Sequence, residues 1–196
     1  LLLLGEPGMD IALAAPTGKA AARMMEAIYS ARVLLEERLK EGEGSLSAGE
    51  KKALDAMAAL EGVTLHRLMG ARPDSPVYRH NESNPLRIGT LIVDEASMID
   101  AAMMAKLLSA LPERCRCVLL GDRDQLASVE AGAVLADICS SALERGGALR
   151  DNVTVLEKSW RFEQRPGIGL LSSAVNRGED ISVIKKIFRE NDPSKG

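Results

Sequence analysis

The sequence predicts an α/β fold built on a mainly parallel sheet flanked by helices. Apolar runs of strand length alternate along the chain with segments of helical spacing, the pattern of strand–helix–strand units. Two of those runs, Ile88 to Val93 and Cys117 to Leu120, are nearly continuously apolar, as strands covered on both faces must be. Internal repeats and low-complexity segments are absent from the sequence.

The elements follow in order. Ile11 to Ala15 is a short apolar strand stopped by Pro16-Thr17-Gly18. A helix follows from about Lys19, carrying Ala20, Met24, Ala27, Ile28 and Ala31 at helical spacing. It ends in the charged stretch Glu36 to Glu43, where Glu36 and Lys40 have the spacing of a supportive pair. Gly42, Gly44 and Ser45 mark a surface loop, and Ser47-Ala48-Gly49-Glu50 has capping-box spacing for a second helix ending near Gly62. Residues 36 to 62 thus read as a peripheral helical insertion with a solvated charged face.

Thr64 to Gly70 reads as a short helical turn, and residues 71 to 87, rich in Pro, Asn, Ser and Asp, as a long loop. The strand Ile88 to Val93 precedes a helix from Ala101 to Leu111, and the strand ending at Leu120 precedes a helix from Gly132 to Glu144. Val153 to Leu156 is expected to be a fourth strand, and residues 167 to 190 to be helical. The domain reading is one α/β domain over residues 1–165, with 166–196 opening a linker or a second domain.

At 196 residues the chain suffices for one well-buried domain, or one domain and part of another. A net charge of -3 excludes the global basic field of a dedicated nucleic-acid-binding module, although a local basic groove remains compatible with it. Tyr29, Tyr78, Trp160, Phe162 and Phe188 are the only aromatics, too few for a long base-stacking row. Cys115, Cys117 and Cys139 lack metal-type spacing and are expected to be reduced packing thiols. No apolar run reaches membrane-spanning length. Leu1 to Leu4 is too short for a signal core and reads as the tail of an element that begins upstream.

In parallel sheets of this kind, ligands bind beyond the carboxyl ends of the strands. Two strands here end in acid: Leu91-Ile92-Val93-Asp94-Glu95 and Val118-Leu119-Leu120-Gly121-Asp122. Adjacent Asp and Glu at such a rim suit phosphoryl chemistry, with Asp94 holding Mg²⁺ through water and Glu95 orienting or deprotonating the attacking water. The plainer alternative is that the pair caps a following helix. Gln125, just past the second acidic strand, is a neutral amide able to meet both a γ-phosphate and a lytic water; a polar turn is its plainer reading. Arg161 can neutralise charge on a transferred phosphoryl group, or serve only in an interface ion pair.

Together these stretches resemble the superfamily one DNA helicases, and among them the RecD family of exodeoxyribonuclease V alpha subunits. Leu13-Ala14-Ala15-Pro16-Thr17-Gly18-Lys19-Ala20-Ala21-Ala22-Arg23 is similar to motif Ia, and Thr64 to Leu68 to motif Ib. Val93 to Asp100 is similar to motif II, Leu120 to Leu135 to motif III, and Ser159 to Phe162 to motif IV, all in the family's order. The resemblance implies a RecA-like P-loop NTPase motor domain that binds ATP and Mg²⁺ and moves 5′ to 3′ on single-stranded DNA. It implies roles for Asp94 and Glu95 as the Mg²⁺ and water-activating pair, and for Gln125 and Arg161 as γ-phosphate contacts. Pro16, Thr17, Gly18, Lys19, Thr64 and His66 would line the DNA track, although Lys19 also suits a solvated helix start and His66 a structural role. A second helicase subunit, a nuclease subunit, a role in double-strand break repair and a cytoplasmic location are further implications.

One departure is specific. A P-loop needs Gly-x-x-x-x-Gly-Lys-Ser/Thr, yet Ala20 follows Gly18-Lys19 and Leu13 stands where the first Gly belongs. Gly5-Glu6-Pro7-Gly8 has no Gly-Lys after it. The sequence therefore reads as a motor domain truncated at its N-terminus, beginning after the P-loop and its helix, and the isolated chain is expected not to hydrolyse ATP. A conjugative relaxase-type helicase, a non-catalytic DNA-binding scaffold and a P-loop kinase are the alternatives. The scaffold gives no reason for retaining Asp94, Glu95, Gln125 and Arg161 together. The kinase needs neither the Gly121 to Leu126 block nor the Pro16 to Lys19 stretch.

Overall fold

The computed structural model describes residues 10–41, 48–122, 134–144, 147–156, 170–171, 174–175 and 178–190. The chain divides into two compact units, Leu1–Ser140 and Ser141–Gly196.

The first unit is built on a four-stranded sheet in the order β2-β1-β3-β4, with every neighbouring pair parallel. Strand β1 is Ile11–Ala15, β2 Gly62–Thr64, β3 Thr90–Val93 and β4 Arg116–Leu119. Registers align the carboxyl ends: Ala15 faces Thr64, Ala14 faces Val93, and Val93 faces Leu119. All four strands consequently deliver their following residues to one edge. The α/β class with a parallel sheet and flanking helices is thus realised.

Helix α1 (Gly18–Glu41) begins directly from β1 and buries Ala20, Ala21 and Met24, a stripe at helical spacing. Its small residues permit close approach to β2, where Gly62 lies against Ala21 and Met25. Along the helix, Glu36 pairs with Arg32 one turn upstream, Nε to Oε1 2.8 Å, and the Lys40 side chain lies outside the described residues. Helix α2 (Ala48–Ala58) packs back on α1, with Leu54 and Met57 buried.

Helix α3 (Leu65–Leu68) follows β2 without a break. Helix α4 (Ala101–Ser109) is capped by Asp100, whose carboxylate accepts from the Met103 amide, and buries Met104 and Leu107. The main core joins the three strands β1, β3 and β4 to these helices: Leu65, Met69, Leu91, Val93, Met104 and Leu107 are each at most 3% exposed. Each such side chain contributes roughly 1.5–3 kcal/mol relative to leaving it in water. Cys115, Cys117 and Cys139 pack at the margin of this core as free thiols. Burial raises the pKa of Cys115 and Cys117 above the ordinary thiol value, so both stay protonated at neutral pH.

Helix α5 (Val134–Leu143) follows, with Leu135 in the core. In the second unit, helix α6 is Ile181–Glu190, preceded by Asp180, whose Oδ1 accepts from the Ser182 amide at 2.8 Å.

The strand expectations need correction. Val153 to Leu156 is not a strand: among the described residues it pairs with none, and Leu156 is 89% exposed. A β-rich composition does not make a strand without a neighbouring edge to bond. The fourth strand is β2 instead, only three residues long, held by pairing to β1. Of residues 167 to 190, those described are helical at 170–171, 174–175 and Ile181–Glu190, with Gly178 at φ 63° turning the chain before α6.

Candidate functional site

The carboxyl edge of the sheet is where the sequence placed its chemistry, and the register gives that edge an order. Across it lie the end of β2 with Thr64 and His66, the end of β1 with Pro16 to Lys19, the end of β3 with Asp94 and Glu95, and the end of β4 with Gly121 and Asp122. Neighbouring strands stand about 4.8 Å apart, so Thr64 and Asp94 are roughly 10 Å apart, on either side of β1.

The acidic pair is held by backbone bonds from both sides. The Asp94 amide donates to the Ala14 carbonyl at 2.9 Å, the Leu120 amide to the Val93 carbonyl at 2.8 Å, and the Ala96 amide to the Leu120 carbonyl at 2.8 Å. The end of β4 is therefore tied to the turn just after Glu95. Gly121 allows that closeness: a Cβ there would lie 2.7 Å from Leu135 Cδ2 and 3.0 Å from the Ser97 amide nitrogen.

Asp94 Oδ1 accepts from the Glu95 amide at 2.9 Å. Glu95 adopts φ 53°, ψ 38°, the one non-glycine with positive φ among the described residues. Such backbone costs on the order of 1–3 kcal/mol and persists where the surroundings over-determine it. Glu95 stands at the cap position of the short 3₁₀ turn Ala96–Met98, yet its carboxylate makes no capping hydrogen bond. Capping therefore does not account for the residue. Both carboxylates are half-buried and, among the described residues, have no cationic partner. Two adjacent hard oxygen donors at an open rim fit Mg²⁺, which keeps most of its waters and uses one or two protein carboxylates. Among the described residues no cluster of three or more His, Cys, Asp and Glu could hold a metal ion.

On the other side of β1, Thr17 and Thr64 play matching parts. Thr17 Oγ1 accepts from the Ala20 amide at 3.2 Å and Thr64 Oγ1 from the Arg67 amide at 3.2 Å, each starting a helix. Both hydroxyl hydrogens remain able to donate. Gly18 and Lys19 are exposed at the start of α1, Pro16 is half-buried, and His66 is exposed on α3. The first turn of α1 leaves backbone amides directed outward, where a helix dipole favours anions.

The structure thus groups Pro16, Thr17, Gly18, Lys19, Thr64 and His66 on the β2–β1 half of the edge, with Asp94 and Glu95 on the β3–β4 half. Gln125 and Arg161 lie outside the described residues. Three features were not foreseen from sequence. Tyr78, from the loop after α3, stands edge-on to His66 with ring centroids 5.9 Å apart. Lys106 of α4 lies over the same ring, Nζ 5.4 Å from its centroid. Ser97 Oγ is buried with no hydrogen-bond partner among the described residues. Only the scarcity of aromatics hinted at Tyr78.

Residues 2–131 match the family model described as AAA domain. The chain is 44% identical over 178 residues to the RecBCD enzyme subunit RecD of Mycolicibacterium smegmatis, covering 90% of this chain and 28% of that protein. It is 36% identical over 193 residues to the RecBCD enzyme subunit RecD of Haemophilus influenzae, covering 87% of this chain and 29% of that protein. The ATP-dependent RecD2 DNA helicase of Deinococcus radiodurans is 36% identical over 135 residues, covering 69% of this chain and 14% of that protein. The chain accordingly spans under a third of the length of these relatives. It belongs to the AAA-domain family and is RecD-like over most of its length.

Proposed function

We propose that the chain is the greater part of the first motor domain of an ATP-dependent DNA helicase, working as the RecD-like subunit of an exodeoxyribonuclease V-type complex. The observation that carries the reading is the order along the sheet edge. An acidic pair on β3 sits directly beside a threonine-, glycine- and lysine-bearing helix start on β1, an adjacency that supports a phosphoryl-transfer site next to a polyanion track.

At the first half, Asp94 would hold Mg²⁺, which would supply charge neutralisation on the phosphates. Glu95 orients a water and takes its proton as the water oxygen bonds to the γ-phosphorus. The bond from that phosphorus to the β–γ bridging oxygen breaks, releasing ADP and phosphate. Gln125 and Arg161 contact the γ-phosphate. At the second half, the amides at Gly18 and Lys19, the Lys19 ammonium, the Thr17 and Thr64 hydroxyls and His66 meet the sugar-phosphate backbone of single-stranded DNA, giving register without sequence preference. Residues 1–165 form this motor domain, and 166–196 open a linker or a second motor domain. Because the 196 residues carry no P-loop signature, they do not hydrolyse ATP by themselves.

The relatives named as RecBCD subunits support a second helicase subunit and a nuclease subunit as partners. Cytoplasmic double-strand break repair and 5′ to 3′ movement complete the proposal. Duplexes with either a 5′ or a 3′ single-stranded overhang, given to the full-length protein with ATP and Mg²⁺, test it. Displacement of the 5′-overhang substrate alone is expected. Exclusive use of the 3′ overhang would overturn the polarity, and no ATP-dependent displacement in the assembled complex would overturn the helicase reading.

A further inference from the structure

Tyr78 is attached at two places that the proposed function leaves unconnected. Its loop is pinned to the end of α3: the Arg79 amide donates to the Gly70 carbonyl at 3.1 Å and the His80 amide to the Met69 carbonyl at 2.9 Å. Gly70 takes φ 71°, which lets the chain reverse there, and a Cβ on it would lie 2.7 Å from Arg79 Cβ. Asn81 Nδ2 donates to the Tyr78 carbonyl at 3.1 Å, fixing the backbone on the other side.

The side chain, by contrast, belongs to α4. Tyr78 Oη is 4.0 Å from Met103 Sδ, Lys106 Nζ lies 5.4 Å from the ring centroid, and the ring packs against the main core. It also makes an edge-to-face contact with His66, at an interplanar angle of 65°. A ring so held offers the exposed imidazole a fixed surface, whereas His66 would otherwise sample its rotamers in solvent. Lys106 adds a positive charge over the same ring.

We propose that Tyr78 is a positioning residue for DNA binding: it fixes the His66 imidazole against α4 so that the side chain meets a DNA phosphate already ordered. The proposal rests on His66 being a DNA contact. Ordering a side chain before binding removes part of the entropy otherwise lost in the complex, an effect of about fivefold in affinity for one such group.

The test uses the full-length protein and an oligo-dT strand, reading the DNA concentration that half-stimulates ATP hydrolysis separately from the rate at saturating DNA. Tyr78→Leu and Tyr78→Met are made in parallel, so that one folded non-aromatic variant suffices, beside Tyr78→Phe and His66→Ala. Either non-aromatic variant is expected to raise the half-stimulating concentration about fivefold while the saturated rate changes less than twofold. Tyr78→Phe, which keeps the ring, should restore the wild-type value. Combining Tyr78→Leu with His66→Ala should be no worse than His66→Ala alone.

An unchanged half-stimulating concentration in the non-aromatic variants, with His66→Ala raising it, would overturn the positioning role and leave the DNA contact standing. Additive effects would overturn it equally, as would a fall in saturated rate alone, which marks a purely structural residue. If His66→Ala changes nothing, the DNA-contact reading of His66 fails and the proposal falls with it.

Discussion

Gly18 and Gly121 both stand at strand ends, for opposite reasons. A Cβ at Gly18 would meet nothing within 4 Å, and the residue lies outside the left-handed region, so the fold does not require glycine there. An approaching DNA backbone would. Gly18→Ala is therefore expected to hold stability or raise it by about 0.4–1 kcal/mol, while weakening single-stranded DNA binding several-fold. Thermal melting and fluorescence anisotropy on the same samples check both halves; unchanged affinity would remove the α1 start from the track. Glu95 shows the complementary case, in which backbone strain is retained at a residue whose carboxylate makes no capping hydrogen bond. The acidic pair was legible in the sequence because a strand followed by Asp-Glu is a local pattern. Tyr78 was not, because its meaning depends on His66 and Lys106, which only folding brings to it.

Between elements, the joint that matters most lies where the end of β4 meets the turn after β3. Its closeness depends on the absent side chain of Gly121, against which Leu135 and the Ser97 and Ala96 amides are packed. Leu135 can shift, but the two backbone nitrogens belong to the turn that carries Glu95. Gly121→Ala is expected to cost about 1–3 kcal/mol and to lower turnover beyond any loss of folded protein. Urea unfolding together with the specific rate of the folded fraction measures it, and a neutral effect on both would show that the joint is looser than these contacts imply. Strand identity shows where sequence reading fails at this scale. Gly62-Val63-Thr64 is too short and too glycine-containing to signal a strand, yet the β1 edge makes it one. Val153 to Leu156 has strand composition and no pairing partner among the described residues. In both cases a long-range edge decided the outcome, which no local window contains.

For the whole molecule, the alternation of strands and helices gave the parallel class, but the order β2-β1-β3-β4 came only from the structure. That order sets the β1 end, with the α1 start, directly beside the β3 end that carries the acidic pair. The same order leaves β4 paired on one side only among the described residues, with its four residues half-buried or exposed. The most direct test of the central claim is ATP hydrolysis by the full-length protein, with and without single-stranded DNA, beside Glu95→Gln. Strong DNA stimulation is expected in the wild type and a loss of at least about a hundredfold in the variant, with thermal stability unchanged within about 0.5 kcal/mol. Hydrolysis that survives Glu95→Gln in folded protein would contradict the motor reading.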